Sequence, residues 1–251
     1  MLRRDLLKAG LIAGATPSLF IPGRLFAIGN PADDDYADYR ANPPEQPQPL
    51  GTHPATDEEN QKALDICAAA KGNSLIELTD WFESLTEKNV DGHAYNAAWP
   101  DRWNPVIVQF YYATSLDHKQ VYVKGDTIPW CAAYLNWALN RLGREGTGRA
   151  DSGSFRSING NGKGLGHETQ QPVTGDLIVF KIRGANPDVG HGHVAIYLGE
   201  TPAAYEVAGG NQYHGKKYSS INRTSIPKDG YILEKASFRD YKTIPTRSAD
   251  T

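Results

Sequence analysis

The apolar and polar positions of this chain follow two different periods. From Thr56 to about Gly143 the apolar residues recur at helical spacing. From about Pro172 they alternate or run in short blocks bounded by glycine and proline. Thr56-Asp57-Glu58-Glu59 is a capping box and predicts a helix running to Gly72. Ser74-Leu75-Ile76-Glu77 is a second box and predicts a helix through about Lys88. Asn104-Pro105 caps a third, with Val106, Val108, Phe110 and Tyr111 as its apolar content. Between the second and third, Val90 to Trp103 reads as an irregular loop whose Trp99 and Trp103 are packing residues. An exposed pair would instead be suited to sugar rings.

The fourth helical stretch runs from Asp126 to Gly143. Asp126 or Thr127 is its expected cap, Pro129 suits its first turn, and Gly143 is expected just past its end. Leu135, Ala138 and Leu142 lie four, seven and eleven positions after Cys131, which puts the thiol on the buried stripe at the positive end of the helix. A thiol there has its thiolate favoured, and the thiolate is the nucleophile. The competing reading is a small buried apolar residue, the commonest role of a free cysteine.

Arg144 to Gly166 is a long loop dense in Gly, Ser and Asn, a place where function often resides. Strands follow. Leu177 to Ile182 comes after a Gly175-Asp176 turn, His193 to Leu198 ends at Gly199, and Ala204 to Ala208 ends at Gly209-Gly210. Lys217 to Arg223 and Tyr231 to Lys235 are weaker candidates. Helices first and strands afterwards predict an α+β fold with an antiparallel sheet.

Composition narrows the function. A net charge of −3 over 251 residues argues against nucleic acid as a partner. Two cysteines, Cys67 and Cys131, are no disulfide framework, and a bridge between them would consume the proposed nucleophile. Cys67 reads as a core residue of an alanine-rich helix. Gly162-Lys163-Gly164 lacks the Gly-Lys-Ser/Thr ending of a phosphate loop, so nucleotide binding is not expected.

The first 27 residues form a targeting segment. Arg3-Arg4, Leu6, Leu7 and Lys8 resemble a twin-arginine signal, and a mildly apolar run from Ala9 to Pro22 follows. The resemblance implies export of a folded protein across a bacterial inner membrane by the twin-arginine machinery. The expected destination is periplasmic or secreted, with cleavage after Ala27 plausible. A soluble N-terminal helix is the alternative. No later stretch has the roughly 18 uninterrupted apolar residues of a membrane span, so no stable membrane anchor is expected after processing. Residues 28–56, rich in Pro and Asp, read as an extended linker. The expected layout is then a helical segment over 57–117, a catalytic domain over 118–240 and a tail over 241–251.

Period-2 alternation puts His193, Ala195 and Tyr197 on one face of their strand, and small Ala195 is expected to leave room for a helix tip. Asn211 lies near the start of that strand if the two flanking runs pair as a hairpin. A helix-tip thiol, a strand-borne imidazole and an amide would then line up as nucleophile, base and orienter. Asn211 also reads simply as a turn residue beside two glycines. Glu206 on the same run is the rival third member.

Pro129-Trp130-Cys131-Ala132-Ala133-Tyr134, Gly175-Asp176-Leu177-Ile178-Val179-Phe180, Gly192-His193-Val194-Ala195-Ile196-Tyr197 and Gly209-Gly210-Asn211-Gln212 occur in this order. Together they resemble the CHAP family of cysteine, histidine-dependent amidohydrolases and peptidases. These are papain-like hydrolases of bacterial cell walls, here in a branch with Trp-Cys-Ala-Ala and Gly-Gly-Asn-Gln signatures. The resemblance implies a peptidoglycan amidase or endopeptidase needing no cofactor. Its nucleophile would be Cys131, its base His193 and its orienter Asn211, with Trp130, His191 and Gln212 as candidates for the substrate cleft. Many members carry Gln directly before the cysteine. Trp130 stands there instead, so the oxyanion must find other donors, the backbone N–H of Cys131 first among them.

Two other readings stay open. His191-Gly192-His193 with His53 and Asp57 caricatures a zinc endopeptidase, although His53 lies in the linker. His167 and His214 fall in loops and read as solvated. A wall-binding homologue without catalysis is the third possibility, and alkylation of Cys131 would separate it from an enzyme.

Overall fold

The computed structural model describes residues 53–116, 129–157, 163–184, 192–213, 218–230 and 233–247. Residues 1–52, on which the expected export signal and most of the expected linker fall, lie outside them, as do Asp126, Thr127, His191, His214 and residues 248–251. Among the described residues four α-helices come first: α1 (Asp57–Ala69), α2 (Leu75–Glu83), α3 (Pro105–Tyr111) and α4 (Cys131–Arg141). Six strands follow: β1 (His167–Thr169), β2 (Leu177–Ile182), β3 (Val194–Glu200), β4 (Ala204–Gln212), β5 (Ser220–Pro227) and β6 (Leu233–Asp240). They form one sheet of order β1-β6-β2-β3-β4-β5 in which every paired neighbour is antiparallel. The fold is α+β with an antiparallel sheet, as the change of period predicts.

The capping box at Thr56 forms in full, whereas at Ser74 only half does, Ser74 Oγ accepting from Glu77 N while the Glu77 carboxylate accepts from Asn73 N. Thr56 Oγ1 accepts from Glu59 N at 3.3 Å, and Glu59 Oε2 accepts from Thr56 N at 2.9 Å. Glu59 also takes a bidentate ion pair from Arg102, at 3.1 and 2.7 Å, which ties α1 to the loop before α3. His53, within the stretch expected to be linker, pairs with Arg102 in a parallel bridge. Helix α2 stops at Glu83 rather than near Lys88, and Asn96 Nδ2 donates to the carbonyls of Phe82 and Glu83 at its end. Trp99 and Trp103 are both buried, so they pack and offer no sugar platform.

The sheet separates two apolar layers. Leu177, Val179, Val194, Ile196, Ala208 and Ile221 face the helices and join their core. Ile178, Phe180, Ala195, Tyr197, Val207, Ile226, Leu233 and Phe238 form a second cluster on the other face. Strand β2 runs as the apolar block indicates, with its first four residues buried. Strand β4 does not stop at Gly209-Gly210 but continues through them to Gln212. His167 is exposed, yet it belongs to the short strand β1 against Asp240 rather than to a loop.

Candidate active site

Helix α4 begins at Cys131 itself. Its cap position is Trp130, which supplies no side-chain cap, and Pro129 lies before the helix rather than in its first turn. The approach to the helix is held from α3, where Tyr111 Oη donates to Pro129 O at 3.2 Å. Gly143 follows the end of the helix with φ +69, the left-handed conformation a helix terminator needs. Cys131, Leu135 and Ala138 are buried, but so are Ala132, Ala133, Tyr134, Asn136 and Leu139, while Leu142 is half-buried, so the helix is covered nearly all round rather than along one stripe.

What seats the helix start is Gly210. A Cβ there would stand 2.5 Å from Trp130 Cζ3 and 2.8 Å from Tyr134 Cβ. Only a residue without a side chain lets the first turn of α4 rest on β4. Trp130 is fully buried, its ring stacked 6.2 Å from Phe110 and its Nε1 donating to Ser219 Oγ at 3.2 Å. It is therefore a packing anchor with no surface to present to a substrate, contrary to its expected place in the cleft.

His193 immediately precedes β3. Its backbone exchanges hydrogen bonds with Phe180, with Phe180 N donating at 2.8 Å and His193 N donating at 3.3 Å. Its ring lies 6.3 Å from that of Phe180 at 24°. Burial drives the imidazole down to about 3, opposed by the Gln212 side chain, so His193 is neutral at physiological pH. Ala195 does not make room for the helix tip, because it lies in the cluster on the face away from α4. The predicted alternation holds, but the helix packs on the opposite face, over Val194, Ile196 and Ala208.

Ile196 pairs with Ala208, and antiparallel continuation of that register brings the start of β3 beside Gly210 and Asn211. Cys131, His193 and Asn211 thus lie toward the same end of the β3–β4 pair. Asn211 is buried and carries the one positive φ among the described non-glycine residues, +61. Glu206 is elsewhere. It pairs with Gly199, six residues along β3 from His193 and so roughly 20 Å away, and its Oε2 accepts from Ser225 Oγ at 2.7 Å. Gln212 is fully buried and packs inside the fold, so it too offers no face to a cleft.

For the rival metal site, His53 is exposed beside Arg102, while His191 is not among the described residues. Among the described residues no three His, Cys, Asp or Glu side chains stand close enough to share an ion. Cys67 is a free thiol packed against the helical core, though it keeps some exposure. Burial pushes it up to about 12, in spite of Arg141 nearby. The long loop after α4 is tied to the helix by Asn136. Its Nδ2 donates to Arg149 O and its Oδ1 accepts from Gly148 N, both at 2.9 Å.

Two site features escape the sequence reading. One is the seat at Gly210, for which glycine inside an apolar run is the available signal. The other is Arg156, whose Nη1 donates at 3.2 Å to Phe180 O, the carbonyl that also receives His193 N. Nothing in the local pattern around Arg156 marks it.

No curated protein and no solved structure matches the chain. The family model of the CHAP domain matches residues 123–211, a span that opens before α4 and ends at Asn211. Those residues, with Cys131, His193 and Asn211 among them, are a CHAP domain, the mark of a hydrolase of the amidase or peptidase kind.

Proposed function

We propose that this chain is an exported cysteine hydrolase that cleaves an amide bond of bacterial peptidoglycan, with Cys131 as nucleophile and His193 as base in a papain-like layout. The observation that carries the reading is the position of Cys131. It is the first residue of α4, inside the matched CHAP span, seated over the end of β4 beside the start of β3.

The chemistry follows from the environment. His193 is the imidazole that serves as base; its burial disfavours the protonated form, so turnover requires the imidazolium to be stabilised as it forms. It takes the proton of Cys131 Sγ as the sulfur attacks the carbonyl carbon of the scissile amide. The carbonyl electron pair moves to oxygen, and the oxyanion falls near the N-terminal end of α4, where backbone N–H groups and the helix dipole favour negative charge. The imidazolium then returns its proton to the leaving amine as the C–N bond breaks, leaving a thioester on Cys131. Water activated by His193 hydrolyses the thioester and restores the thiol. The thiol lies on the helix-side layer and the imidazole belongs to a strand whose alternation points it to the other face. Reaction between them therefore requires the two to approach each other around the strand ends rather than through the sheet.

The pair Arg3-Arg4 and the apolar run behind it support export by the twin-arginine route to the periplasm or beyond, where peptidoglycan is met. The test is digestion of purified peptidoglycan with the fragments identified by mass. Soluble fragments carrying new amine and carboxyl ends, released in the presence of a chelator, support the reading. Fragments cut at glycosidic bonds, or activity lost to chelator and restored by zinc, overturn it.

A further inference from the structure

We propose that Gln212 is the residue that positions His193, its side-chain carbonyl holding the imidazole in the tautomer and orientation catalysis needs. The inference rests on the Cys131–His193 reading and assigns the amide that completes it.

The bulge at the end of β4 comes first. Gly209 pairs with Asn222 and Gln212 with Ser220, so three steps on β4 match two on β5. One extra residue is inserted, and Asn211 at φ +61 is where the backbone absorbs it. A regular strand would place Gln212 on the face of Ala208 and Gly210, against the helices. The bulge instead turns it to the face of Val207 and Gly209. Its Nε2 lies 3.5 Å from the position a Gly209 Cβ would take, and Ala195 Cβ lies 3.7 Å from that same position. Ala195 and Gly209 together form a shallow slot that the Gln212 amide fills, on the face where alternation puts His193. The small residue beside His193 therefore makes room for an amide.

The amide cannot turn freely in that slot. Gln212 Nε2 donates to Asn222 O at 2.7 Å, while Asn222 Nδ2 donates back to Gln212 O at 2.8 Å and to Ser220 Oγ at 2.7 Å. With the nitrogen committed to Asn222, the orientation of the carbonyl oxygen Oε1 is set. Oε1 is fully buried and meets strict hydrogen-bond geometry with no partner among the described residues, yet the Gln212 side chain stands near enough to hydrogen-bond the imidazole and favour its protonation. Hydrogen bonds of this kind are commonly long in a resting site and shorten once substrate is bound. A neutral acceptor suits the role: it fixes the N–H and steadies the imidazolium that forms in turnover, without holding a proton there at rest.

The test compares Gln212→Leu with Asn211→Gly, the latter keeping the left-handed backbone. The readouts are kcat and KM on peptidoglycan fragments, thermal melting, and the exchange rate of the His193 ring N–H in a ¹H–¹⁵N spectrum. Gln212→Leu is expected to lower kcat at least tenfold with KM changed less than about twofold, since orientation acts on the transition state. Its ring N–H should exchange faster than in the unaltered protein, and Asn211→Gly should keep most of kcat. If Gln212→Leu does not fold, the unaltered protein still decides. A ring N–H protected from exchange and coupled to the Gln212 carbonyl supports the proposal, and one coupled to Asn211 or exchanging freely overturns it. Retained kcat in a folded Gln212→Leu overturns it as well. Failure of the Cys131–His193 reading is distinct, because Cys131→Ala would then remain active whatever Gln212 does.

Discussion

Replacing Gly210 by alanine isolates the contact that seats the nucleophile. The added Cβ would stand 2.5 Å from Trp130 Cζ3, 2.8 Å from Tyr134 Cβ and 2.9 Å from Trp130 Cε3. Trp130 and Tyr134 are fully buried, with Phe110 at 6.2 and 5.2 Å ring to ring, so neither can swing aside. Restoring an ordinary separation of 3.4 Å requires the first turn of α4 to lift by about 0.9 Å. Overpacking of this kind costs about 1–3 kcal/mol. For a domain of this size that lowers Tm by roughly 2–12 °C. A shift of about 1 Å at a reacting group costs on the order of 10²-fold in rate. The control is Gly209→Ala on the adjacent residue and opposite face, where the new Cβ meets nothing nearer than 3.5 Å. Melting curves and initial rates of peptidoglycan cleavage should show a large loss of both stability and rate for Gly210→Ala and small changes for Gly209→Ala. A Gly210→Ala protein as stable and active as the parent would refute the idea that this glycine sets the position of Cys131.

Other outcomes follow from the same geometry. Burial holds His193 down at about 3 in the folded protein against about 6.5 unfolded, so well above pH 6.5 it binds no proton in either state. As pH falls from 6.5 toward 3 the unfolded chain gains a proton the folded one refuses, and stability is lost at about 1.4 kcal/mol per unit. Urea titrations at several pH values should show that slope reduced in His193→Gln, and parallel slopes would contradict it. Iodoacetamide near pH 7.5, followed by peptide mapping, should modify Cys131 and spare Cys67, whose thiol stays protonated. The reverse pattern would remove the chemical distinction between the two thiols. Glu206→Gln should keep nearly full activity, because Glu206 bonds Ser225 far from His193. Inactivation of that variant in folded form would return the carboxylate to the site.

How much of this was legible in the sequence depends on what each residue answers to. The capping box at Thr56 and Glu59 is local chemistry, and both of its bonds form. The block Leu177 to Ile182 was legible as a strand because it is short, apolar and set off by the Gly175-Asp176 turn, and its first four residues are buried. Alternation through His193, Ala195 and Tyr197 was also legible, but which face the helix would cover was not, since period 2 separates two faces without labelling them. The end of β4 misled for a related reason. Gly209-Gly210 reads as a strand terminator, yet Gly210 is glycine because Trp130 and Tyr134 occupy the space of its side chain, a contact between distant segments. Trp130, a cleft candidate by its place directly before Cys131, is a buried anchor through Phe110 and Ser219, which no local pattern connects to it. Asn211 was legible as an amide beside glycines. That its backbone forms a bulge and turns Gln212 toward the other face depends on pairing with β5.

The central claim is that the Cys131 thiol performs the cleavage. The most direct measurement is the initial rate at which Cys131→Ala releases soluble fragments from purified peptidoglycan, with circular dichroism and melting used to confirm that the variant is folded. Losing the nucleophile of a cooperating set should cost at least about 10³-fold, leaving only what binding and the oxyanion donors supply. A folded Cys131→Ala protein that cleaves within tenfold of the parent rate would contradict the account.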